Sequence, residues 1–207
     1  VRATLQEASE ALGEDVAKLI AEGPAEALAL TTNTQPVMLT AAVAFYRAWL
    51  AAGGATPKVM AGHSLGEYSA LVASGVISFK DAVPLVRFRA EAMQTAVPVG
   101  TGGMAAILGL DDAVVIKVCA EASAASGGVV EAVNFNAPGQ VVIAGASDAV
   151  AKACELLKAA GAKRALPLPV SAPFHSSLLQ PASEKLKGYL ANIEFKAPTI
   201  PVINNVD

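Results

Sequence analysis

From Gln6 to Leu28 polar and apolar positions alternate at helical spacing, with breaks at Gly13 and Gly23-Pro24, which predicts short helices separated by turns. The polar stretch Thr31-Thr32-Asn33-Thr34-Gln35-Pro36 reads as a loop capping a further helix that runs to Ala52 and stops at Gly53-Gly54. After Pro57 the apolar run Val59-Met60-Ala61 is strand-like, and Gly62-His63-Ser64-Leu65-Gly66 follows it directly. Leu65, Tyr68, Leu71 and Val72 then keep one helical face as far as Gly75, and Asp81 to Thr95 forms another helix on Val83, Val86 and Ala90. Helix, strand, turn, helix is the order of an α/β domain.

The pattern changes at the Pro- and Gly-rich connection from Pro98 to Gly103. Beyond it, strands at Met104 to Leu108, Val129 to Phe135, Gln140 to Ala144 and Lys163 to Leu168 alternate with helices at Asp111 to Ala125 and Ser147 to Ala160. The order βαββαβ is that of a ferredoxin-like unit. Residues 99–168 are therefore expected to form a small domain inserted into a larger α/β domain made of residues 1–98 and 169–207. In the second part of that larger domain a loop precedes a helix near Leu178 to Leu190 and an apolar run from Thr199 to Ile203.

Composition first raises a membrane question and then removes it. Of 207 residues 54% are hydrophobic and 16% charged, and the mean hydropathy is +0.49. Yet the longest uncharged stretches, Ala27 to Tyr46, Ala92 to Leu110 and Ala165 to Ser183, are each interrupted by Pro, Gly, Thr, Asn or Gln. None offers the roughly 18 to 20 continuous apolar residues of a spanning helix. Alanine, about a fifth of the chain, supplies much of the hydrophobicity and suits helices packed closely on a sheet. A net charge of −3 with 5% aromatics provides neither the basic stripe nor the stacking surfaces of a nucleic-acid binder. Cys119 and Cys154 lie in alanine-rich helical patterns and read as small buried hydrophobes rather than as a disulfide or metal site, which fits a reducing cytoplasm. No secretory signal is visible at Val1-Arg2-Ala3-Thr4-Leu5, and the chain reads as beginning within a domain.

Chemistry centres on Gly62-His63-Ser64-Leu65-Gly66, a G-x-S-x-G pattern between a short strand and an amphipathic helix. Small residues flanking the serine allow the sharp strand-to-helix turn that presents a nucleophilic hydroxyl. The helix start places the Leu65 N–H where an oxyanion would develop. A serine hydroxyl needs a base, and the chain has two histidines, His63 and His175. His63 is adjacent on the turn, which aims neighbouring side chains apart, so packing or hydrogen bonding under the elbow is its expected role, and its place beside the serine also makes it a candidate substrate-binding residue. His175, in the Pro-containing loop Ser171-Ala172-Pro173-Phe174-His175-Ser176-Ser177 before a helix, is the remaining base.

The stretch Gly62-His63-Ser64-Leu65-Gly66-Glu67-Tyr68-Ser69-Ala70-Leu71 resembles the active-site signature of the malonyl-CoA:acyl-carrier-protein transacylases of bacterial fatty acid synthesis. Further matches are Met104 to Ile107, Asn134 to Gly145 and the segment around His175, so the resemblance covers nearly the whole chain. It implies an α/β-hydrolase-like large domain with a ferredoxin-like insertion. It also implies a Ser64–His175 dyad working by ping-pong transfer: malonyl-CoA acylates Ser64, and the phosphopantetheine thiol of acyl carrier protein then takes the malonyl group. CoA is a substrate on this reading, with no cofactor and no metal. Malonyl-CoA and acyl carrier protein are the expected partners of a cytoplasmic monomer that binds neither nucleic acid nor membrane. The family's malonyl-binding arginine matches Arg89, whose guanidinium fork can hold a carboxylate bidentately. Arg87, two residues away, is expected on a solvated face. Phe174, before the histidine, and Leu65, after the serine, occupy positions that go with malonyl over methylmalonyl, although Phe174 also fits plain core. Lys163-Arg164 matches a basic pair that suits an acidic carrier protein, and equally a solvated strand end.

Two family features have no match. One is an opening strand with a Gly-Gln-Gly-x-Gln loop that supplies the second oxyanion N–H. The other is a continuation past Asn204-Asn205-Val206-Asp207, with a glutamine whose carbonyl holds the histidine ring. The large domain is accordingly expected to be truncated at both ends, and the 207-residue chain alone to be poorly active or inactive. Three rival readings remain. An α/β-hydrolase esterase would use Ser64, Asp148 and His175, although Asp148 is explained by its place at a helix start. An inactive fragment would bind carrier protein without chemistry, and an acyltransferase domain of a polyketide synthase would differ in acyl preference.

Overall fold

The computed structural model describes residues 1–170 and 172–206. Ser171, which opens the loop around His175, and Asp207, the last residue of the expected large domain, lie outside the described residues. Helices α1 (Arg2–Leu12), α2 (Val16–Glu22), α3 (Ala25–Ala29) and α4 (Thr31–Ala51) precede strand β1 (Met60–Ala61), α5 (Leu65–Ala73) and α6 (Phe79–Gln94). Next come β2 (Gly102–Leu108), α7 (Asp112–Ser126), β3 (Val130–Ala137), β4 (Gln140–Ala146), α8 (Ser147–Ala159) and β5 (Arg164–Pro167). A 3-10 turn at Ser177–Leu179 leads into α9 (Gln180–Leu190), and β6 (Val202–Ile203) follows. The fold is mixed α/β. It forms two compact units, Val1–Glu91 with Leu186–Asp207, and Ala92–Lys185.

In the first unit β1 and β6 pair in parallel, Met60 opposite Val202 and Ala61 opposite Ile203. The core is helical: Ala8 of α1, Val16 of α2, Leu39 and Val43 of α4, and Val83, Leu85 and Val86 of α6, with Ile77 and Phe79, are all buried. The breaks predicted at Gly13 and Gly23 are observed. Gly13 ends α1 in the left-handed region at φ 72° and donates its N–H to Ser9 O, and the Asp15 carboxylate caps α2 by accepting the Lys18 N–H at 2.8 Å.

One expectation is corrected here. Thr31 to Pro36 is not a loop but the opening of α4. The Leu30 carbonyl accepts the N–H groups of Asn33 and Thr34 at 2.8 Å each. The Asn33 amide donates to Ala27 O, and the Thr34 hydroxyl lies within hydrogen-bonding distance of Leu28 O and Leu30 O. Side chains that favour turns are spent on carbonyls left over at the end of α3, so helix can begin directly after it.

The second unit holds a four-stranded antiparallel sheet in the order β3-β4-β2-β5. Period-two alternation sorts its side chains. Ala105 and Ile107 of β2, Val141 and Ile143 of β4 and Val130 of β3 share a core with the inner faces of α7 and α8, including Cys119 and Cys154. Met104, Val142 and Ala144 form a second cluster, joined by Val133, Leu168 and Phe174. Both cysteines are free and buried, and burial pushes the Cys119 thiol up to about 12 and raises that of Cys154. Among the described residues no helix is long and apolar enough to cross a membrane.

Candidate active site

β1 runs into the turn Gly62 to Gly66, and α5 begins at Leu65. Ser64 stands on this turn at φ 51°, ψ −108°, a backbone conformation that costs a non-glycine residue about 1 to 3 kcal/mol and persists only where the surroundings enforce it. Gly62 is what permits the turn: a Cβ there would overlap the Gly66 carbonyl and the Glu67 nitrogen. A Cβ at Gly66 meets nothing within 4 Å, so the two glycines of the motif have unequal roles. Local bonds close the turn, Gly66 N–H to His63 O at 2.8 Å and Glu67 N–H to Ser64 O at 3.2 Å. Asn205 adds three more: its amide nitrogen donates to Gly62 O, its amide oxygen accepts the Ser64 N–H, and its own N–H donates to the Glu67 carboxylate at 3.2 Å.

Arg89 reaches the same hydroxyl from α6. The residue is 9% exposed. Its Nη2 donates to Ser64 Oγ at 3.0 Å and its Nη1 to the Gln35 amide oxygen at 2.7 Å, while Cζ lies 5.4 Å from the centroid of the Tyr68 ring. These three partners are neutral. Burial lowers the Arg89 guanidinium from its ordinary pKa, opposed by Tyr68 and Glu67, and burial raises the Tyr68 phenol. A guanidinium keeps its proton at neutral pH even so. The site thus presents a fixed positive charge beside a serine hydroxyl, with further donor capacity on the fork.

His175 belongs to the second unit and is exposed. It occupies the third position of the turn Pro173 to Ser176, closed by Ser176 N–H to Pro173 O at 3.2 Å, and it carries φ 68° where glycine or asparagine is usual. The Ser176 hydroxyl donates to Pro173 O at 2.8 Å, and the Phe174 N–H to Ala172 O at 3.0 Å. From β3 the Glu131 carboxylate accepts the Ser177 N–H at 2.6 Å.

Other residues singled out in the sequence have plainer surroundings. Leu65 packs against the helical core of the first unit and Phe174 against Met104, Val142 and Ala144. His63 is exposed on the elbow, Asp148 is exposed in the first turn of α8, and Lys163 and Arg164 are exposed where β5 begins. Arg87 departs from expectation: its side chain is 17% exposed and pairs with Glu14 at 2.7 Å. Among the described residues no group of His, Cys, Asp and Glu could hold a metal ion.

The acyl transferase domain family matches residues 1–207. The chain belongs to that family. It is 61% identical over 207 residues to the malonyl CoA-acyl carrier protein transacylase of Escherichia coli strain K12, covering 100% of this chain and 66% of the relative. A crystal structure of an acyl-carrier-protein S-malonyltransferase from Burkholderia pseudomallei 1710b superposes with a TM-score of 0.97 at 73% identity, covering 100% of this chain and 66% of that one. A malonyl-transacylase solved in complex with its type II PKS acyl-carrier protein has a TM-score of 0.96 at 54% identity, covering 99% of this chain and 66% of that one. The chain therefore spans just under two thirds of the length of these relatives.

Within this acyl transferase chain the structure brings Ser64 and Arg89 together and adds Gln35, Tyr68 and Asn205, which sequence reasoning did not assign to the site. Tyr68 had a usable signal, since a residue four positions after the serine lies on the same side of the helix. Gln35 was hidden in a segment read as loop, and Asn205 in the chain beyond the last strand.

Proposed function

We propose that Ser64 is the nucleophile of a malonyl transfer from malonyl-CoA to the phosphopantetheine thiol of acyl carrier protein, with His175 as base and Arg89 as the carboxylate clamp. The observation that carries this reading is the 3.0 Å contact between the buried Arg89 guanidinium and Ser64 Oγ. A cation held beside the nucleophile by neutral partners favours an acyl group that brings its own carboxylate, and an acetyl group would leave it unmatched.

Ser64 Oγ attacks the thioester carbonyl carbon as its proton passes to His175, and the negative charge on the carbonyl oxygen is met by the Leu65 N–H at the start of α5. Collapse breaks the C–S bond, and the departing CoA sulfur takes the proton from His175. The carrier thiol then gives its proton to His175 and attacks the malonyl-serine ester, and Ser64 Oγ leaves with that proton. CoA and the carrier's phosphopantetheine are substrates, and the reaction needs no resident cofactor or metal. Phe174 and Leu65 shape the acyl side, and His63 supports the elbow.

The same reading gives the fold its finer description: an α/β-hydrolase-like large domain of residues 1–98 and 169–207, with a ferredoxin-like small domain of residues 99–168. The βαββαβ order and the β3-β4-β2-β5 sheet support it, while the compact units divide elsewhere, after Glu91 and after Lys185, so that the His175 loop falls with the small domain's sheet rather than with residues 1–98. It places the protein in the cytoplasm, where acyl carrier protein and malonyl-CoA meet.

The test is peptide mass spectrometry of the full coding chain after brief exposure to malonyl-CoA. A malonyl adduct on the peptide carrying Ser64, absent in Ser64→Ala and formed far more slowly in His175→Ala, is expected. Acylation elsewhere, or undiminished in Ser64→Ala, would overturn the assignment.

A further inference from the structure

The strained turn under Ser64 needs restraint from outside, and Asn205 restrains its backbone. β1 and β6 are each two residues long, and their ladder ends at Ala61 opposite Ile203, where the chain turns into the elbow. Two residues beyond β6, the Asn205 side-chain amide donates from its nitrogen to Gly62 O and accepts at its oxygen from the Ser64 N–H. The Gly62 carbonyl and the Ser64 N–H flank His63. They are the two groups that a residue of a parallel neighbouring strand would bond with its own N–H and C=O. A carboxamide carries the same donor and acceptor as a peptide unit. The Asn205 side chain therefore stands in for one more strand residue and carries the ladder into a turn where no strand can follow. The Asn205 backbone N–H also binds the carboxylate of Glu67, in the first turn of α5. One residue thus ties the end of β1, the nucleophile and the start of the helix behind it.

We propose that Asn205 is a positioning residue for the nucleophile, fixing the Ser64 backbone so that Oγ and the start of α5 keep the relation that acyl transfer requires. This rests on Ser64 being the nucleophile. Asn205 touches no reacting atom and acts through the backbone of Gly62 and Ser64. Neither a carboxylate nor an alanine can replace it: aspartate keeps an acceptor for the Ser64 N–H but loses the donor to Gly62 O and sets a second negative charge near Glu67, while alanine loses both side-chain bonds.

The experiment compares wild type, Asn205→Ala and Asn205→Asp in the full coding chain. It uses three readouts: the rate of Ser64 acylation across malonyl-CoA concentrations, the rate of Ser64 labelling by a small fluorophosphonate, and the melting temperature. A slight displacement of a reacting group lowers rate by roughly 10- to 100-fold. Both variants are expected to lose about that much in maximal acylation rate and to label more slowly, with half-saturating malonyl-CoA within about twofold of wild type and melting within a few degrees. Rates within about twofold of wild type would overturn the proposal. So would a rate loss that matches the fraction unfolded, because Asn205 would then only stabilise the fold. Should Asn205→Ala fail to fold, the isosteric Asn205→Asp carries the comparison. If wild type takes fluorophosphonate on Ser64 but never malonyl, the malonyl-transfer reading fails while the labelling rates still decide the role of Asn205.

Discussion

Ser64 and His175 are the non-glycine residues with positive φ among the described residues, at 51° and 68°, and their turns are restrained in different ways. The His175 turn carries short-range bonds, with Pro173 accepting from both the Ser176 N–H and the Ser176 hydroxyl and Phe174 bonding Ala172, and Glu131 ties the adjoining Ser177 from β3. The Ser64 turn depends on parts of the chain far from it in sequence. Asn205 holds its backbone, Arg89 holds its hydroxyl, and Gln35 holds Arg89. In the proposed roles His175, the base, has only to accept and release a proton, and bonds within its own loop suit that task. Ser64, the proposed nucleophile, has also to meet an oxyanion donor and a carboxylate clamp, and several elements converge on it. Substitutions around Ser64 should therefore reach further than comparable ones around His175.

The largest effect is expected at Gly62. Gly62→Ala forces a Cβ into the Gly66 carbonyl and should lose about 1 to 3 kcal/mol of stability and more than roughly 10²-fold in Ser64 acylation rate. Thermal melting and timed intact-mass measurements check both. Gln35→Ala comes next. It removes the 2.7 Å partner of Arg89 Nη1 and should lower kcat/KM for malonyl-CoA by about tenfold while barely changing hydrolysis of an uncharged ester. An equal loss for both substrates would mean that Gln35 supports the elbow generally rather than the clamp.

Around His175 the comparison predicts less. Glu131→Ala frees only the Ser177 N–H, leaves the Pro173 bonds in place and should slow acylation by no more than about threefold, read from single-turnover kinetics. A tenfold loss would mean that His175, too, is positioned from a distance, as proposed for Ser64. Smallest of all is Gly66→Ala, at a helical position with open space for a methyl group. It should leave activity intact and raise stability by about 0.5 to 1 kcal/mol, seen in denaturant titration.

The same contrast explains what could be read from the sequence. Features with a local or periodic cause were legible: the helix stops at Gly13 and Gly23, the alternation of β2 and β4 that sends Ala105 and Ile107 to one face and Met104 to the other, and the G-x-S-x-G turn. Arg89 came from the resemblance, and no spacing rule would have set it against Ser64. Thr31 to Pro36 misled because threonine and asparagine favour loops unless a preceding helix offers carbonyls to bond, and α3 does. Arg87 misled because Glu14, its partner, lies in a distant connection. Asn205 left no trace, since an amide that imitates a strand residue has no periodicity of its own.

Acyl selectivity of Ser64 tests the central claim most directly, as the ratio of acylation rates with malonyl-CoA and acetyl-CoA in wild type and Arg89→Ala. A charge-assisted pair of hydrogen bonds confined to the malonyl group predicts a wild-type ratio well above one, falling by roughly 10²-fold or more in the variant as malonyl transfer drops and acetyl transfer holds or rises. An unchanged ratio would contradict the account and remove Arg89 from the choice of substrate.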